Sequence, residues 1–290
     1  MTRRNRVLVL GATGLLGSHL GDALADRYDT YAPRPRRATP GQDKSPVRWL
    51  AASLDAMDGR TLLPVLDEAS PDCVVNCVAI TPGSPLAEDP VACIAVNSLF
   101  PHQLTALSRT RGFFLLHVST DGVFSGRKGQ YRESDTPDPT DLYGRTKWLG
   151  EISGERVLSV RTSFFGLSRR GTGLVNWLLG QEGRVVEGHR GSRFTGLSAP
   201  VLARLIADLL ARTIPLTGLY HVGGPAVSKH DLLVGLAEAF RLRVTIKPVD
   251  APVLDRTLDS TRFWAEVSSS PPALDAMVAE LAAQRVGSRP

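Results

Sequence analysis

Apolar residues fall along this chain in short runs separated by stretches of helical spacing. Arg6–Leu10 (Arg-Val-Leu-Val-Leu) is almost wholly apolar, as a strand covered on both faces must be. A glycine-rich turn follows, and residues 15–25 then repeat apolar positions at helical intervals. The pattern predicts further strands over 30–32, 48–52, 73–78, 113–118 and 157–160, with helices over 61–69, 91–111 and 141–152 between them. Pro101 should kink or break the long helix, and Asp141 or Thr140 can cap the last one. Residues 33–45, rich in Pro, Arg and Gly, read as a loop. Strands alternating with helices imply an α/β fold built on a doubly wound parallel sheet.

Beyond Arg161 the pattern changes. Glycines and arginines multiply, and helices are expected near 199–211, 230–240 and 274–283, with a strand near 218–222. We expect a dinucleotide-binding domain over 1–162, rejoined by a returning segment near 197–223. Residues 163–290 would form mainly a smaller, mixed α/β substrate-binding part. The polar tail 286–290 is expected to fray. There is no internal repeat.

Composition narrows the function classes. The chain has 290 residues and 42 % hydrophobic residues, and no apolar run reaches membrane-spanning length. The basic start, Thr2 to Arg6, leads into a first strand instead of an export signal, which points to the cytoplasm. Cys73, Cys77 and Cys93 lack metal-site spacing, so reduced, mostly buried thiols and no metal are expected. The net charge of +5 favours an anionic small molecule. No basic helix or aromatic-interleaved module suggests nucleic acid.

Two constellations carry chemistry. The first is Gly11-Ala12-Thr13-Gly14-Leu15-Leu16-Gly17, a G-x-x-G-x-x-G turn between strand and helix. Such glycines let backbone approach a pyrophosphate, and the free N–H groups of the helix behind face it. A structural tight turn is the plainer alternative. The acidic residue that would hold the ribose hydroxyls of NAD is missing from the second strand's end, since Asp29 comes too early. Arg34, Arg36 and Arg37 follow instead, suited to a 2′-phosphate. NADP(H) is therefore preferred, with NAD(H) as the second choice. Asp55 is a candidate for the adenine.

The second is Tyr143-Gly144-Arg145-Thr146-Lys147, which puts Tyr and Lys one helical turn apart on one face. A lysine ammonium beside the phenol would lower its ordinary pKa of about 10. Ser119-Thr120-Asp121-Gly122-Val123-Phe124 closes the fifth strand, where ligands bind in such sheets.

Together these residues resemble the extended short-chain dehydrogenase/reductase family, and within it the dTDP-4-dehydrorhamnose reductase group. The resemblance takes in Asn76-Cys77-Val78-Ala79, Val96-Asn97, Arg161-Thr162, Gly196-Leu197-Ser198, residues 218–222 and Asp255-Arg256-Thr257-Leu258-Asp259. It implies reduction of a 4-keto group on a nucleotide-linked 6-deoxysugar, with Thr120 as the hydroxyl that binds the carbonyl. Tyr143 would be the acid, and Lys147 would tune the tyrosine and hold the ribose. Gly11, Thr13, Gly14, Leu15, Leu16, Gly17, Ala79 and Asn97 would serve the cofactor, Asn97 through backbone contacts. Asp121, Gly122 and Arg256 would serve the substrate, Arg256 at its diphosphate.

Gly122 stands where these reductases carry Tyr and the related dehydratases carry a Glu base. It cannot abstract a proton, which ranks a dehydratase low. A silent NADP(H)-binding regulatory subunit and a sugar-nucleotide epimerase stay open as alternatives, as does a homodimer. His19 and His117 read as structural, Trp148 as a packing residue, and His221, Lys229 and His230 as neighbours of a substrate cleft.

Overall fold

The structure is a computed structural model that describes residues 5–35 and 45–287. Arg36 and Arg37 lie outside the described residues. The elements run β1 (Arg6–Leu10), α1 (Leu15–Leu24), β2 (Asp29–Arg34), β3 (Arg48–Ser53), α2 (Leu62–Ala69), β4 (Cys73–Asn76) and α3 (Pro90–Cys93). A π-helical turn over Ile94–Leu99 leads into α4 (Phe100–Arg111), β5 (Phe114–Val118), α5 (Leu142–Leu149) and β6 (Val157–Arg161). Then come β7 (Phe164–Phe165), α6 (Leu174–Leu179), β8 (Val185–His189), β9 (Ser192–Phe194), β10 (Leu197–Ser198), α7 (Ala199–Leu210) and β11 (Gly218–His221). The chain ends through β12 (Val227–Ser228), α8 (Lys229–Ala239), β13 (Thr245–Val249), β14 (Leu254–Asp255), α9 (Thr261–Glu266) and α10 (Leu274–Gly287).

Seven parallel strands form the main sheet in the order β11-β6-β5-β4-β1-β2-β3. From β1 the chain winds outward through β2 and β3, then returns to place β4 on the other side. The carboxyl ends of β1 and β4 thus flank a switch point, where a crevice opens. Alternation within β1 sends Val7 and Val9 to one face and Leu8 and Leu10 to the other. The first face packs on Leu16, Leu20 and Leu24 of α1 and on Leu202 and Ile206 of α7. The second packs on Leu62 and Leu66 of α2 and on Phe100 and Leu104 of α4.

Four predicted elements differ in ways that bear on the site. Strand β2 runs on through Pro33 and Arg34, which the composition had assigned to a loop. Its pairing with β3 shifts register between Ala32 and Arg34, and a bulge is where a sheet tolerates proline. The break in helix 91–111 is a π turn just before Pro101. Proline has no N–H for the Asn97 carbonyl, so regular helix cannot pass that point. Helix α5 stops at Leu149 instead of Ile152. Val286 and Gly287, expected to fray, belong to α10, while 288–290 lie outside the described residues.

After β6 the chain forms short pairs: β7 with β10, β13 with β8, and β12 and β14 on either side of β9. Of this half, only β11 among the described strands joins the main sheet. Among the described residues, no helix is long and apolar enough to cross a membrane. Cys73 and Cys93 are buried free thiols, and Cys77 is half-buried.

Candidate active site

The glycine turn is built by close approach. Gly11 has φ +86°, and a Cβ on Gly17 would lie 2.2 Å from the Gly11 carbonyl oxygen. Gly14 caps α1 without any side-chain hydrogen bond, so the N–H groups of its first turn face the crevice. Leu15 and Leu16 open the helix, and Leu16 sends its side chain into the core. A cavity of about 370 Å³ lies against this turn, walled by Gly11, Thr13, Arg34, Trp49, Val78 and Arg170. Asp29 sits at the opposite end of β2, paired to Arg48, as its position had implied.

Asp55 is beside this cavity, but its carboxylate accepts the Met57 N–H at 3.0 Å, and the cavity wall is made by Leu54 and Ala56. Ala79 lies in the loop after β4. Asn97 holds that loop by both backbone groups of Ile80: its Oδ1 accepts the N–H at 2.8 Å, and its Nδ2 donates to the carbonyl at 3.0 Å. Nδ2 also donates to the Thr146 hydroxyl on α5. Asn97 therefore positions the cavity wall without facing the cavity.

Arg170 has no counterpart among the sequence candidates. It reaches from the segment after β7 to the Thr13 hydroxyl, and its neighbour Arg169 pairs with Asp22 on α1. The second half of the chain thus crosses the phosphate turn and adds a second guanidinium to the cavity that holds Arg34. A basic pair, Arg169-Arg170, was visible in the sequence, but nothing local tied it to residue 13.

At the carboxyl end of β5, Thr120 caps a 3-10 turn, its Oγ1 accepting the Gly122 N–H at 3.0 Å. Asp141 caps α5 by accepting the Gly144 N–H at 2.6 Å. A Cβ on Gly122 would lie 3.2 Å from Thr120 Oγ1 and 3.4 Å from Tyr143 Cε1, so Thr120 and Tyr143 meet across the glycine. Burial pushes the Tyr143 phenol up to about 12, opposed by the Thr120 hydroxyl. This corrects the expectation that Lys147 lowers it. The Lys147 amine, 1 % exposed, donates instead to the Val118 carbonyl at 2.8 Å and lies 3.4 Å from His117 Nε2. Burial pulls Lys147 itself down to about 8.

Asp121 shares this pocket. Burial raises its carboxyl to about 6 against the pull of Arg256, of the Ser163 and Thr120 hydroxyls, and of Lys229. Arg256 lies 3.7 Å from Asp141, and its buried Nε has no hydrogen-bond partner. An unmet guanidinium donor beside the Thr120–Tyr143 pair suits an anionic ligand group.

Two expectations need correction here. His221 is not at the cleft: it is fully buried, with Nδ1 3.0 Å from the Tyr131 carbonyl and Nε2 3.2 Å from Arg161. Trp148 is 41 % exposed, because it falls one position off the buried face of α5 that carries Thr146 and Lys147. His230 pairs with Asp231 at 2.9 Å.

A doubly wound sheet with a glycine-lined crevice at its switch point, and a hydroxyl–tyrosine–lysine set at its carboxyl edge, defines the extended short-chain dehydrogenase/reductase class. The chain belongs, within that class, to the family described as the RmlD substrate binding domain, which it matches over residues 5–257. It is 32 % identical to the dTDP-4-dehydrorhamnose reductase of Streptomyces griseus, over 82 % of this chain and 76 % of that one. It is 28 % identical to the methionine adenosyltransferase 2 subunit beta of Danio rerio, over 83 % of this chain and 76 % of that one. Among solved structures, a hypothetical dTDP-4-dehydrorhamnose reductase from Sulfolobus tokodaii superposes with TM-score 0.79 at 27 % identity, covering 94 % of this chain and 99 % of that one. The dTDP-4-dehydrorhamnose reductase of Bacillus anthracis, solved with NADP, shares the fold with TM-score 0.81 at 21 % identity, covering 97 % and 99 % of the two chains.

Proposed function

We propose that this protein is an NADP(H)-dependent oxidoreductase that reduces the 4-keto group of a nucleotide-activated 6-deoxysugar. The observation that carries the reading is the meeting of Thr120 and Tyr143 across Gly122, with Arg256 beside them. The reductase from Streptomyces griseus, aligned over most of both chains, supports it. The cavity at the glycine turn suits the phosphate-bearing part of a dinucleotide, because Gly11 lines it, Gly17 lets the helix pack close behind the turn, and Arg34 and Arg170 supply cations for a 2′-phosphate. NAD(H) is the second choice of cofactor.

When bound, the nicotinamide supplies the hydride. The chain supplies the rest. The Thr120 hydroxyl donates to the keto oxygen and orients it. Tyr143, held protonated by burial, gives its proton to the alkoxide as charge develops there. Arg256 pairs with the diphosphate of the sugar nucleotide. Gly122 lets Thr120 and Tyr143 approach each other, since a Cβ there would crowd both.

The relative from Danio rerio, named as a subunit of another enzyme, motivates a second reading: a cofactor-binding regulatory subunit. Presence of Thr120, Tyr143 and Lys147 together favours the enzyme. Absorbance of NADPH, followed while purified protein meets dTDP- and UDP-linked 4-keto-6-deoxysugars, separates the two. The enzyme reading expects consumption with at least one sugar. NADPH binding with no consumption on any, together with a stable co-purifying protein, would establish the regulatory reading.

We also propose self-association through the face formed by the packed segments α3, the π turn and α5. Val91, Ile94, Leu99, Trp148 and Leu149 there are all at least 41 % exposed.

A further inference from the structure

Behind Lys147 lies a buried polar chain that the proposed reaction does not use. Asn76, at the end of β4, accepts the Val78 N–H on its Oδ1 at 3.1 Å. The amide therefore turns its Nδ2 toward His117 Nδ1, 3.1 Å away. An amide nitrogen only donates, so Nδ1 must accept. His117 is fully buried, and burial together with Lys147 holds it well below its ordinary value, so the ring is neutral. A neutral imidazole that accepts on Nδ1 carries its proton on Nε2. That N–H faces the Lys147 amine at 3.4 Å.

An ammonium group has only protons to present to another N–H, whereas a neutral amine has a lone pair to accept it. The Val118 carbonyl accepts from Lys147 in either state. We propose that His117, oriented by Asn76, is a positioning residue that adds to burial in favouring the neutral form of the Lys147 amine, by presenting a donor to it. The consequence is a lysine that loses and regains its proton within the working pH range, beside the tyrosine that delivers a proton to substrate. A plain buried lysine needs only an acceptor, and Val118 already provides one.

The other ionisable groups around Lys147 act in the opposite sense or face elsewhere. Glu151, just beyond α5, favours the ammonium, but both its oxygens are engaged by Arg161. Cys77, in the loop after β4, favours it too, yet burial holds that thiol protonated, up to about 12. Tyr143, one turn earlier on α5, is neutral through the working range. The π turn packed on α5 carries no ionisable side chain; Cys93, on α3, is a buried thiol. On α4, His102 is turned to the Leu149 carbonyl. Asp121, on the 3-10 turn, sits with Arg256.

The role of Lys147 beside Tyr143 rests on the reading under Proposed function; the charge of Lys147 does not, and the test reads it directly. The chain has five lysines, Lys44, Lys128, Lys147, Lys229 and Lys247, so carbon-13 labelling at Cε gives a spectrum simple enough to titrate by NMR. Loss of one signal in Lys147→Met assigns it. In the wild type Lys147 should titrate near 8, below the other four. His117→Leu removes the donor and puts no acceptor in its place, and should raise the midpoint by about half a pH unit or more. Asn76→Leu removes the donor that fixes the tautomer, lets Nε2 accept from the amine, and should raise it as well without adding a charge. Should the variant at 117 fail to fold, the variant at 76 carries the test alone. An unmoved Lys147 midpoint in the folded variants, or a wild-type lysine titrating with the others, would overturn the proposal. In turnover assays, the basic limb of the pH profile should move with the midpoint. Absence of turnover would count against the reductase reading and leave the NMR result to decide this one.

Discussion

At the scale of single residues, the site works by burial. Burial holds Tyr143 protonated far above neutral pH, which is the state that the proposed reduction needs in its acid. The lysine sets the other limit. Its ammonium form is present below about 8 and is lost as pH rises through that value. We predict that the reduction rate is flat through neutral pH and falls above about 8, measured as kcat/KM against pH. Asp121 is the unusual carboxylate, raised from its ordinary 3.8 to about 6. A raised acid costs stability above its folded pKa, and that cost disappears as pH falls below the unfolded value. Asp121→Asn should therefore stabilise the protein by roughly 1–3 kcal/mol at pH 8, a gain that fades below pH 4, while lowering turnover. Urea unfolding at the two pH values measures the difference.

The residues of this site were legible in sequence, because each lies within a short motif whose spacing is local. Tyr143 and Lys147 share a helix face, and Thr120 ends a strand. What their neighbourhood does to them was not legible. Spacing placed an ammonium beside the phenol, but the amine turns away to Val118 and His117, and only the packed structure gives the degree of burial.

At the scale of elements, one buried network holds the carboxyl edge of the sheet together. Arg161 on β6, 3 % exposed, makes a two-pronged pair with Glu151 beyond α5, both contacts at 2.7 Å. Ser119 at the end of β5 donates to the same carboxylate at 2.8 Å. Arg161 also stacks over Phe124, 5.0 Å from its centroid, and meets His221 on β11. β5, α5, β6 and β11 are thereby fixed relative to one another directly behind Thr120 and Tyr143. Removing one partner leaves a buried charge unpaired, so Glu151→Ala should cost about 3–5 kcal/mol in urea unfolding, and Glu151→Gln less. Periodicity revealed these strands and helices, since each buries a regular face. It could not show that Pro33 and Arg34 continue β2, because a bulge absorbs the proline, nor that a π turn precedes Pro101.

At the scale of the whole molecule, the two halves of the chain meet over the cofactor cavity. Helix α7 packs on α1 through Leu202 and Ile206, and the segment after β7 brings Arg169 to Asp22 and Arg170 to Thr13. The first half alone would leave the glycine turn uncovered. No local pattern links residue 170 to residue 13, which is why this contact escaped the sequence. Arg34 and Arg170 flank one cavity, so Arg34→Ala and Arg170→Ala should each raise KM for NADPH by about tenfold and leave NADH less affected. Steady-state kinetics with both cofactors measures the ratio. An unchanged NADPH/NADH preference in both variants would remove the case for a 2′-phosphate.

The central claim is that Tyr143, facing Thr120 across Gly122, protonates a sugar carbonyl. The most direct measurement is single-turnover oxidation of bound NADPH by a nucleotide-linked 4-keto-6-deoxysugar, in wild type and Tyr143→Phe. The account predicts a rate lowered about 10²–10⁴-fold in the variant, with NADPH affinity unchanged. Equal rates in the two proteins would contradict it.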